Sequence, residues 1–490
     1  MKNTWIEFLE DLFLSRRSFF ELGVRFLNEE QSFSLGKVRA EKIAKRAFQK
    51  VPAYREFLKA HNLPNANCPL DKLPVMTKDC YIRKYSTQLR CTNGTYLKKG
   101  VAIDESSGST GIPYNWVRGN QERVRVHRTL SRMLEWVLGT RPRIAINAFS
   151  MGAWATGVNM GEALELHSVV KSTGPDLEKI MHTLQFFGPE PGYFICGYPP
   201  FVKLVLDTMI ERGYPVEKYE LHAMVGGEGM SEELRDYLLK HFKSCISGYG
   251  ASDLEMGLAV ETPEAVFIRK LLNKDKQVRE KILKGDHRVP MVFQFNPLTH
   301  YIETNEKNEL IITLNYSKIL SPRIRYNVGD EGLVIKRSEL LKQLEELGHP
   351  VKVDCGILQM PFLMLFGRKD QTISVMGSNI YPEDIERAIY LQPDLAVGFS
   401  SFMISVREDQ QGNPRPHIAI EWKTEKVPTL DLKKISTLMT SALEEINSDF
   451  KNARKEYAEV LNVEVELHGF SQGPFQGRGH RIKNRYLGGK

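Results

Sequence analysis

At 490 residues, with 42% hydrophobic and 10% aromatic residues, the chain has enough apolar material for two or three folded domains and is not a disordered or fibrous polymer. Its longest strongly apolar run, near Met360 to Gly367, falls well short of the ~20 residues that a membrane-spanning helix needs. A net charge of +7 suits phosphate-bearing ligands but is too small over this length to argue for nucleic acid as a partner.

The first thirty residues mix acids and bases into apolar positions at helical spacing, so a helix is expected there and a signal peptide is not. Helices continue to about residue 60, including "KVRAEKIAKRAFQ" with Val38, Ile43, Ala44 and Phe48 roughly on one face. From there to about 100 the prolines of "NLPNANCPLDKLPVMTKDCY" bar long helices. Between Arg141 and Tyr249 short apolar runs, "RIAINAF", "GYFICGY" and "LHAMVGGEG", alternate with amphipathic stretches. One of these, "SEELRDYLLKHF", opens on Ser231 as N-cap and carries Leu234, Leu238 and Phe242 on one face. That alternation predicts an α/β layer architecture with a mostly parallel sheet, whose ligands sit in the loops after strand ends. The charged stretch "NKDKQVREKILKGDHR" reads as a solvated excursion. A β-rich stretch follows ("NELIITL", "PRIRYNVGDEGLVI", "PFLMLFGRKD"), and after about Asp370 the pattern restarts as a smaller α+β unit with "HIAIEW", "LDLKKISTLMTSALEEI" and "LNVEVEL". The six cysteines, Cys68, Cys80, Cys91, Cys196, Cys245 and Cys355, form no CxxC pair and read as reduced thiols of a cytoplasmic protein with no membrane partner.

The stretch "ESSGSTGIPYNW" packs Ser106, Ser107, Gly108, Ser109, Thr110 and Gly111 together and stops at a proline. Hydroxyls and bare glycine N–H groups converging without side-chain bulk are what a polyphosphate needs, although no Walker A spelling occurs and a flexible surface loop has the same composition. Downstream, in order, come "GGEGMS" (Gly226 to Ser231), "SGYGASD" (Ser247 to Asp253), "RYNVGDEG" (Arg325 to Gly332) and "GRKDQTISVMGSNIYPEDIE" (Gly367 to Glu386). Each alone also reads as an ordinary turn, hairpin or strand–turn–helix.

Together these five motifs, in this order and spacing, resemble the adenylate-forming superfamily of acyl-coenzyme A synthetases, adenylation domains and luciferases. The nearest likeness is to its phenylacetate-coenzyme A ligase branch, whose N-terminal region "VPAYREFL" and "LDKLPVMTKDCY" also resemble. The likeness covers most of residues 45 to 490. With residues 1–45, which lie outside the likeness, read as a helical extension, it implies a large N-terminal multi-layer α/β domain over 1–369 and a small mobile α+β domain over 370–490. It implies ATP and Mg²⁺ as cofactors and a small carboxylic acid as substrate: the acid attacks the α-phosphate, pyrophosphate leaves, and the acyl-adenylate passes to an acceptor.

The same likeness implies residue roles. Residues 106–111 close over the β- and γ-phosphates; Gly226, Gly227 and Glu228 border the adenine and the acyl pocket; Tyr249 stacks near the adenine, with Gly250, Ala251 and Ser252 beside it. Asp253 stands where the family usually has the glutamate that helps hold Mg²⁺, one methylene shorter. Asp330 accepts the ribose hydroxyls, Arg368 reaches the same nucleotide, Asp370 is the hinge of the small domain, and Gly377 lies on the face presented to the acceptor. The tail "FSQGPFQGRGHRIKNRYLGGK" lacks the branch's Gly-Lys-x-x-Arg spelling and, with Asn447 to Arg454, resembles the plant-type acyl-adenylate amide synthetases. That alignment makes Lys483 the mobile catalytic cation, with Arg481 and Arg485 as rivals and a merely solvated basic tail as the alternative. Phe149, Trp154, Tyr198 and Phe201 give the expected acid neighbourhood an aromatic character that suits an aryl or other apolar acid, unless they are simply core. The acceptor is coenzyme A, with an amine or a carrier-protein thiol as alternatives. A non-catalytic nucleotide-binding scaffold is the reading of another class.

Overall fold

The computed structural model describes residues 28–105, 114–152, 155–286, 288–353, 359–368, 373–376, 378–408, 414–456, 458 and 461–476. The chain divides into two compact units, one formed by Met1–Gly174, Ile246–Val278 and Pro290–Gly367, the other by Pro175–Cys245, Arg279–Val289 and Arg368–Lys490.

In the first unit, helix Glu29–Lys50 opens on an Asn28 capping box with Gln31 and buries Gly36, Ala40, Ile43, Ala44 and Ala47 at successive turns. Its residues are anchored at long range. The Glu29 carboxylate accepts from the backbone N–H groups of Arg337 and Ser338, the first residues of helix Arg337–Glu346, and Arg39 donates to the carbonyl of Asn315 at 2.9 Å. Helix Pro52–Ala60 follows, with proline at its first position, where its missing N–H costs nothing. From 61 to 101 the chain makes only short helical turns, as the prolines dictate. Strands Ala102–Glu105 and Asn115–Arg118 then pair antiparallel, and helix Asn120–Leu138 leads to the fully buried strand Ile144–Asn147, parallel to Val169–Ser172.

The rest of this unit is antiparallel. Strand Ser244–Tyr249 pairs with Ala259–Val260, which meets Met291–Gln294, itself paired with Phe362–Arg368; His300–Thr304, Glu309–Leu314 and Tyr326–Ile335 continue the sheet. Gly332 marks a close approach: a Cβ there would stand 2.8 Å from both Leu310 Cδ2 and the Met364 carbonyl oxygen.

In the second unit, strands Tyr193–Gly197 and Leu221–Gly226 pair in parallel, with helices Leu177–Phe187, Pro199–Glu211 and Glu232–Leu238 following the apolar runs as the sequence predicts. Ser231 is the N-cap of the last helix, its hydroxyl accepting from Leu234 N–H at 3.2 Å. The C-terminal part is the expected smaller α+β fold. Phe399–Glu408 pairs antiparallel with Pro414–Trp422, which pairs in parallel with Glu464–His468. Helices Pro382–Tyr390 and Leu432–Ile446 cover this sheet and share a core of Ile385, Ile389, Ile404, Ile418, Ile420, Met439 and Leu443. The hairpin Ile373–Val375 with Ser378–Ile380 lies at the start of this part.

The charged stretch read as a solvated excursion is better ordered than that. Lys276–Ile282 is a helix, and Val278, Ile282 and Leu283 are buried, because the stretch carries apolar residues at helical spacing among its charges. Cys68, Cys80, Cys91, Cys196 and Cys245 are free thiols, and among the described residues no helix is long and apolar enough to cross a membrane.

Candidate functional site

The best-defined cluster of expected site residues lies in the first unit, around the loop that ends strand Ser244–Tyr249. Tyr249 is buried, stacks on Phe293 with ring centroids 6.0 Å apart, and donates its hydroxyl to Asp330 Oδ2 at 2.6 Å. Asp330 sits on strand Tyr326–Ile335 just after Gly329, whose φ of +87° gives the strand a local kink that suits glycine. Residues 81 positions apart, both expected at one nucleotide, thus meet in a hydrogen bond. The loop between Tyr249 and Asp253 turns tightly: Leu254 N–H donates to the Ala251 carbonyl at 2.9 Å, and a Cβ on Gly250 would stand 3.1 Å from Met256 Cα. Ser252 offers its carbonyl to Arg118 Nη2 at 2.5 Å, and the Arg118 Nε lies 3.5 Å from Asp104 Oδ2. Arg118 and Asp104 belong to the paired strands Asn115–Arg118 and Ala102–Glu105, so that strand pair is tied to the Tyr249 loop.

Asp253 is nearly buried and held on three sides. Its Oδ2 accepts from Tyr326 at 2.6 Å, its Oδ1 lies 3.6 Å from the Lys78 ammonium, and its carbonyl accepts from Arg323 Nε at 3.0 Å. Arg323 is itself buried, over the Trp116 ring at 4.8 Å; burial, with Arg118 and Arg90 adding to it, pulls its guanidinium down to about 10, so it stays charged at neutral pH. For Mg²⁺, the donor set is one carboxylate with one oxygen facing only an ammonium, and the described residues hold no cluster of three metal-ligating side chains. A single carboxylate fits an ion that brings most of its coordination sphere as phosphate oxygens and water, as Mg²⁺ does at nucleotide sites, and does not fit an all-protein cage.

Two residues on, Glu255 joins three elements. It accepts from Arg125 at 2.8 and 3.1 Å and from His300 at 2.5 Å, while Arg125 also lies over the Tyr316 ring at 4.8 Å. Burial pushes its carboxyl up, but Arg125 and His300 outweigh that and hold it down at about 2. Lys78, Arg118, Glu255, Arg323 and Tyr326 were not singled out from the sequence. Lys78 and the pair Arg323 and Tyr326 stand inside quoted motifs, "PVMTKDCY" and "PRIRYNVGDEG", which was the available signal.

In the second unit, Gly226 ends strand Leu221–Gly226, Gly227 turns the chain with φ of +87°, and Glu228 precedes the Ser231 cap. Tyr198 and Phe201 start helix Pro199–Glu211 and are buried, as is Phe149 in the first unit, which is the burial a core side chain has. Arg368 ends strand Phe362–Arg368, but its side chain lies outside the described residues. Outside them altogether are residues 106–111, Trp154, Asp370, Gly377, Arg481, Lys483 and Arg485.

This fold and this loop order define a class: the chain has the fold of the adenylate-forming acyl-coenzyme A ligases. It is similar over 93% of its length to 2-hydroxyisobutyryl-CoA ligase solved in the postadenylation state, with a TM-score of 0.67, 14% identity and 89% of that chain covered. The anthranilate CoA ligase AuaEII, solved with anthranoyl-AMP, matches with a TM-score of 0.52 and 12% identity over 78% of this chain and 65% of that one. In sequence the chain is similar to phenylacetate-coenzyme A ligase of Thermus thermophilus, 22% identical over 384 residues, 75% of this chain and 77% of the relative. No family model matches.

Proposed function

We propose that this chain is an ATP-dependent acid–thiol ligase: it converts a carboxylic acid to its acyl-adenylate and passes the acyl group to the thiol of coenzyme A. The observation that carries the reading is the Tyr249–Asp330 hydrogen bond beside the Asp253 loop, in a fold shared with ligases of this kind. A carboxylate oxygen of the substrate attacks the α-phosphorus of ATP, pyrophosphate departs, and the thiol then displaces AMP from the acyl carbon. Asp330 takes the ribose hydroxyls, exchanging the Tyr249 phenol for them, and Tyr249 then packs by the base. Gly226, Gly227 and Glu228 border the base and the acyl group, and residues 106–111 hold the outer phosphates. Asp253 would hold Mg²⁺ together with phosphate oxygens and water, and the ion would supply charge neutralisation for the pyrophosphate. Lys483 places a cation on the charge that builds at the α-phosphate, Arg368 reaches the nucleotide, and 370–490 moves about Asp370 between the two half-reactions. Phe149, Trp154 and Tyr198 favour an aryl or other apolar acid.

ATP–pyrophosphate exchange over a panel of aryl, fatty and amino acids tests this. Exchange with one acid class should fall by roughly two to three orders of magnitude in Lys483→Ala, as when a single transition-state donor is removed. An unchanged rate removes Lys483 from the chemistry. ATP binding without exchange for any acid supports a nucleotide-binding scaffold instead. Product analysis with coenzyme A against amines and carrier-protein thiols then identifies the acceptor.

A further inference from the structure

The second unit contains a buried acid that the proposed chemistry leaves unused. Glu386 closes the long Gly367–Glu386 pattern and lies on helix Pro382–Tyr390, which packs against helix Glu232–Leu238. It is 7% exposed, and its Oε2 accepts from the backbone N–H of Ser231 at 3.0 Å, at the entrance of that second helix and three residues after Glu228. The small-domain helix is thereby seated on the segment that carries Gly226, Gly227 and Glu228.

The charges around this carboxyl do not favour its ionised form. Glu228 and Glu383 both act on it as like charges, and a Cβ on Gly229 would stand 3.5 Å from Glu383 Oε1. Arg387, next along the helix, directs its Nε to Glu233 at 3.4 Å, and Arg235 is engaged with Glu232 at 3.0 Å and with the Cys245 carbonyl. Further along the same contact, Asp207 is held between the Lys203 ammonium at 2.7 Å and the Tyr237 hydroxyl at 2.5 Å, near Tyr390. Asp384, on the far face of the helix, accepts from Asn447 at 2.7 Å. Burial pushes the Glu386 carboxyl up to about 8; Ser231 opposes this, and Glu228 and Glu383 add to it.

We propose that Glu386 is a proton-linked positioning residue: docking of helix Pro382–Tyr390 on the Gly226–Ser231 segment takes one proton from solvent onto its carboxyl, and undocking returns it. The inference rests on the reading that 370–490 is a mobile lid. The sign follows from linkage. Undocked, the carboxyl titrates in the ordinary range near 4.5; docked, it titrates near 8. Docking is therefore at full strength below about pH 4.5, weakens up to tenfold per pH unit above it, and levels off above about 8. Near neutrality the lid opens by losing a proton, so general bases in solution can act as release agents for it.

The test uses the full chain without nucleotide, carrying fluorophores on genetically encoded residues at the exposed positions Glu217 and Lys434. Single-molecule energy transfer then counts docked and undocked molecules from pH 5.5 to 8.5. Between pH 6 and 7.5 the docked-to-undocked ratio of the wild-type chain should fall roughly 30-fold, that is, tenfold per unit over 1.5 units. Glu386→Gln, which keeps an acceptor for Ser231 but cannot ionise, should remain docked with no slope. Glu383→Gln, which removes one like charge, should move the upper limit toward acid and serves if the first variant does not fold. Two populations whose ratio ignores pH, or a slope retained in Glu386→Gln, overturn the proposal and leave the lid reading standing. A single population at every pH, with and without ATP, removes the mobile lid and the proposal with it.

Discussion

Replacing Glu255 by glutamine should uncouple stability in the first unit from pH in a way that can be calculated in advance. The wild-type carboxyl titrates at about 2 against 4.5 for an ordinary glutamate. Because the native value is depressed, the stabilisation is fully present above about pH 4.5 and is lost as pH falls toward 2. The gap of some 2.5 units corresponds to about 3 kcal/mol of stability at neutral pH. Glutamine keeps the shape but leaves Arg125 buried beside a neutral amide, and breaking a buried pair in this way costs about 3–5 kcal/mol. Urea unfolding of both chains, followed by tryptophan fluorescence at pH 7, 5, 4 and 3, isolates the effect because the other carboxylates titrate alike in both. The difference between them should be largest at pH 7 and shrink by about 1.4 kcal/mol per unit below pH 4.5, or about 2 kcal/mol by pH 3. A difference that stays constant from pH 7 to 3 would refute the argument that Arg125 and His300 overcome the burial of this carboxylate.

Three further substitutions probe other parts of the structure. Tyr249→Phe removes a 2.6 Å hydrogen bond to the Asp330 carboxylate that the ribose hydroxyls have to displace, and since bonds to charged groups contribute about 1.5–3 kcal/mol, ATP affinity measured calorimetrically should tighten by roughly tenfold or more; an unaltered or weakened affinity would refute that exchange. Lys78→Met frees the Asp253 oxygen that now faces an ammonium, and Mn²⁺ binding to the chain saturated with a non-hydrolysable ATP analogue, read by electron paramagnetic resonance, should tighten about two- to fivefold, the scale of a partly exposed ion pair; no tightening would mean that Lys78 does not compete for that carboxylate. Gly398→Ala drives a Cβ to 1.8 Å from the Trp422 ring, and the overpacking should lower the stability of the C-terminal α+β part by about 1–3 kcal/mol in thermal unfolding; an unchanged melting temperature would show that the indole shifts freely.

The sequence carried local information well. The apolar runs at 144–147, 193–197 and 221–226 are buried strands, and Ser231 caps its helix, because alternation and capping are decided within a few residues. It also carried the order of the motif loops, from which Tyr249 and Asp330 were expected close together, and the two side chains are hydrogen-bonded. What it did not carry was the pairing of charged residues far apart in the chain. Lys78 meets Asp253 and Arg118 meets Ser252 across more than 100 residues, and a lone basic residue in a turn-rich or short-strand segment has no periodicity to announce it. Glu255 looked like one more acid after a loop; its role depends on Arg125 from a helix and His300 from a strand, which only the folded sheet brings together. The charged stretch around Lys276 misled in the other direction, because its many lysines and acids masked the helical spacing of Val278 and Ile282.

The Glu29 carboxylate also decides a practical matter, the point at which the chain can be shortened. It supplies acceptors to the otherwise unfilled N–H groups opening helix Arg337–Glu346, more than 300 positions away, and its own helix is started by Asn28. An expression boundary drawn at the start of the family likeness, near residue 45, discards both, along with the Arg39 contact to Asn315. A fragment cut there exposes the apolar side of helix Pro52–Ala60 and leaves a distant helix uncapped, so a trimmed version intended for crystals or screening has to begin upstream of Asn28.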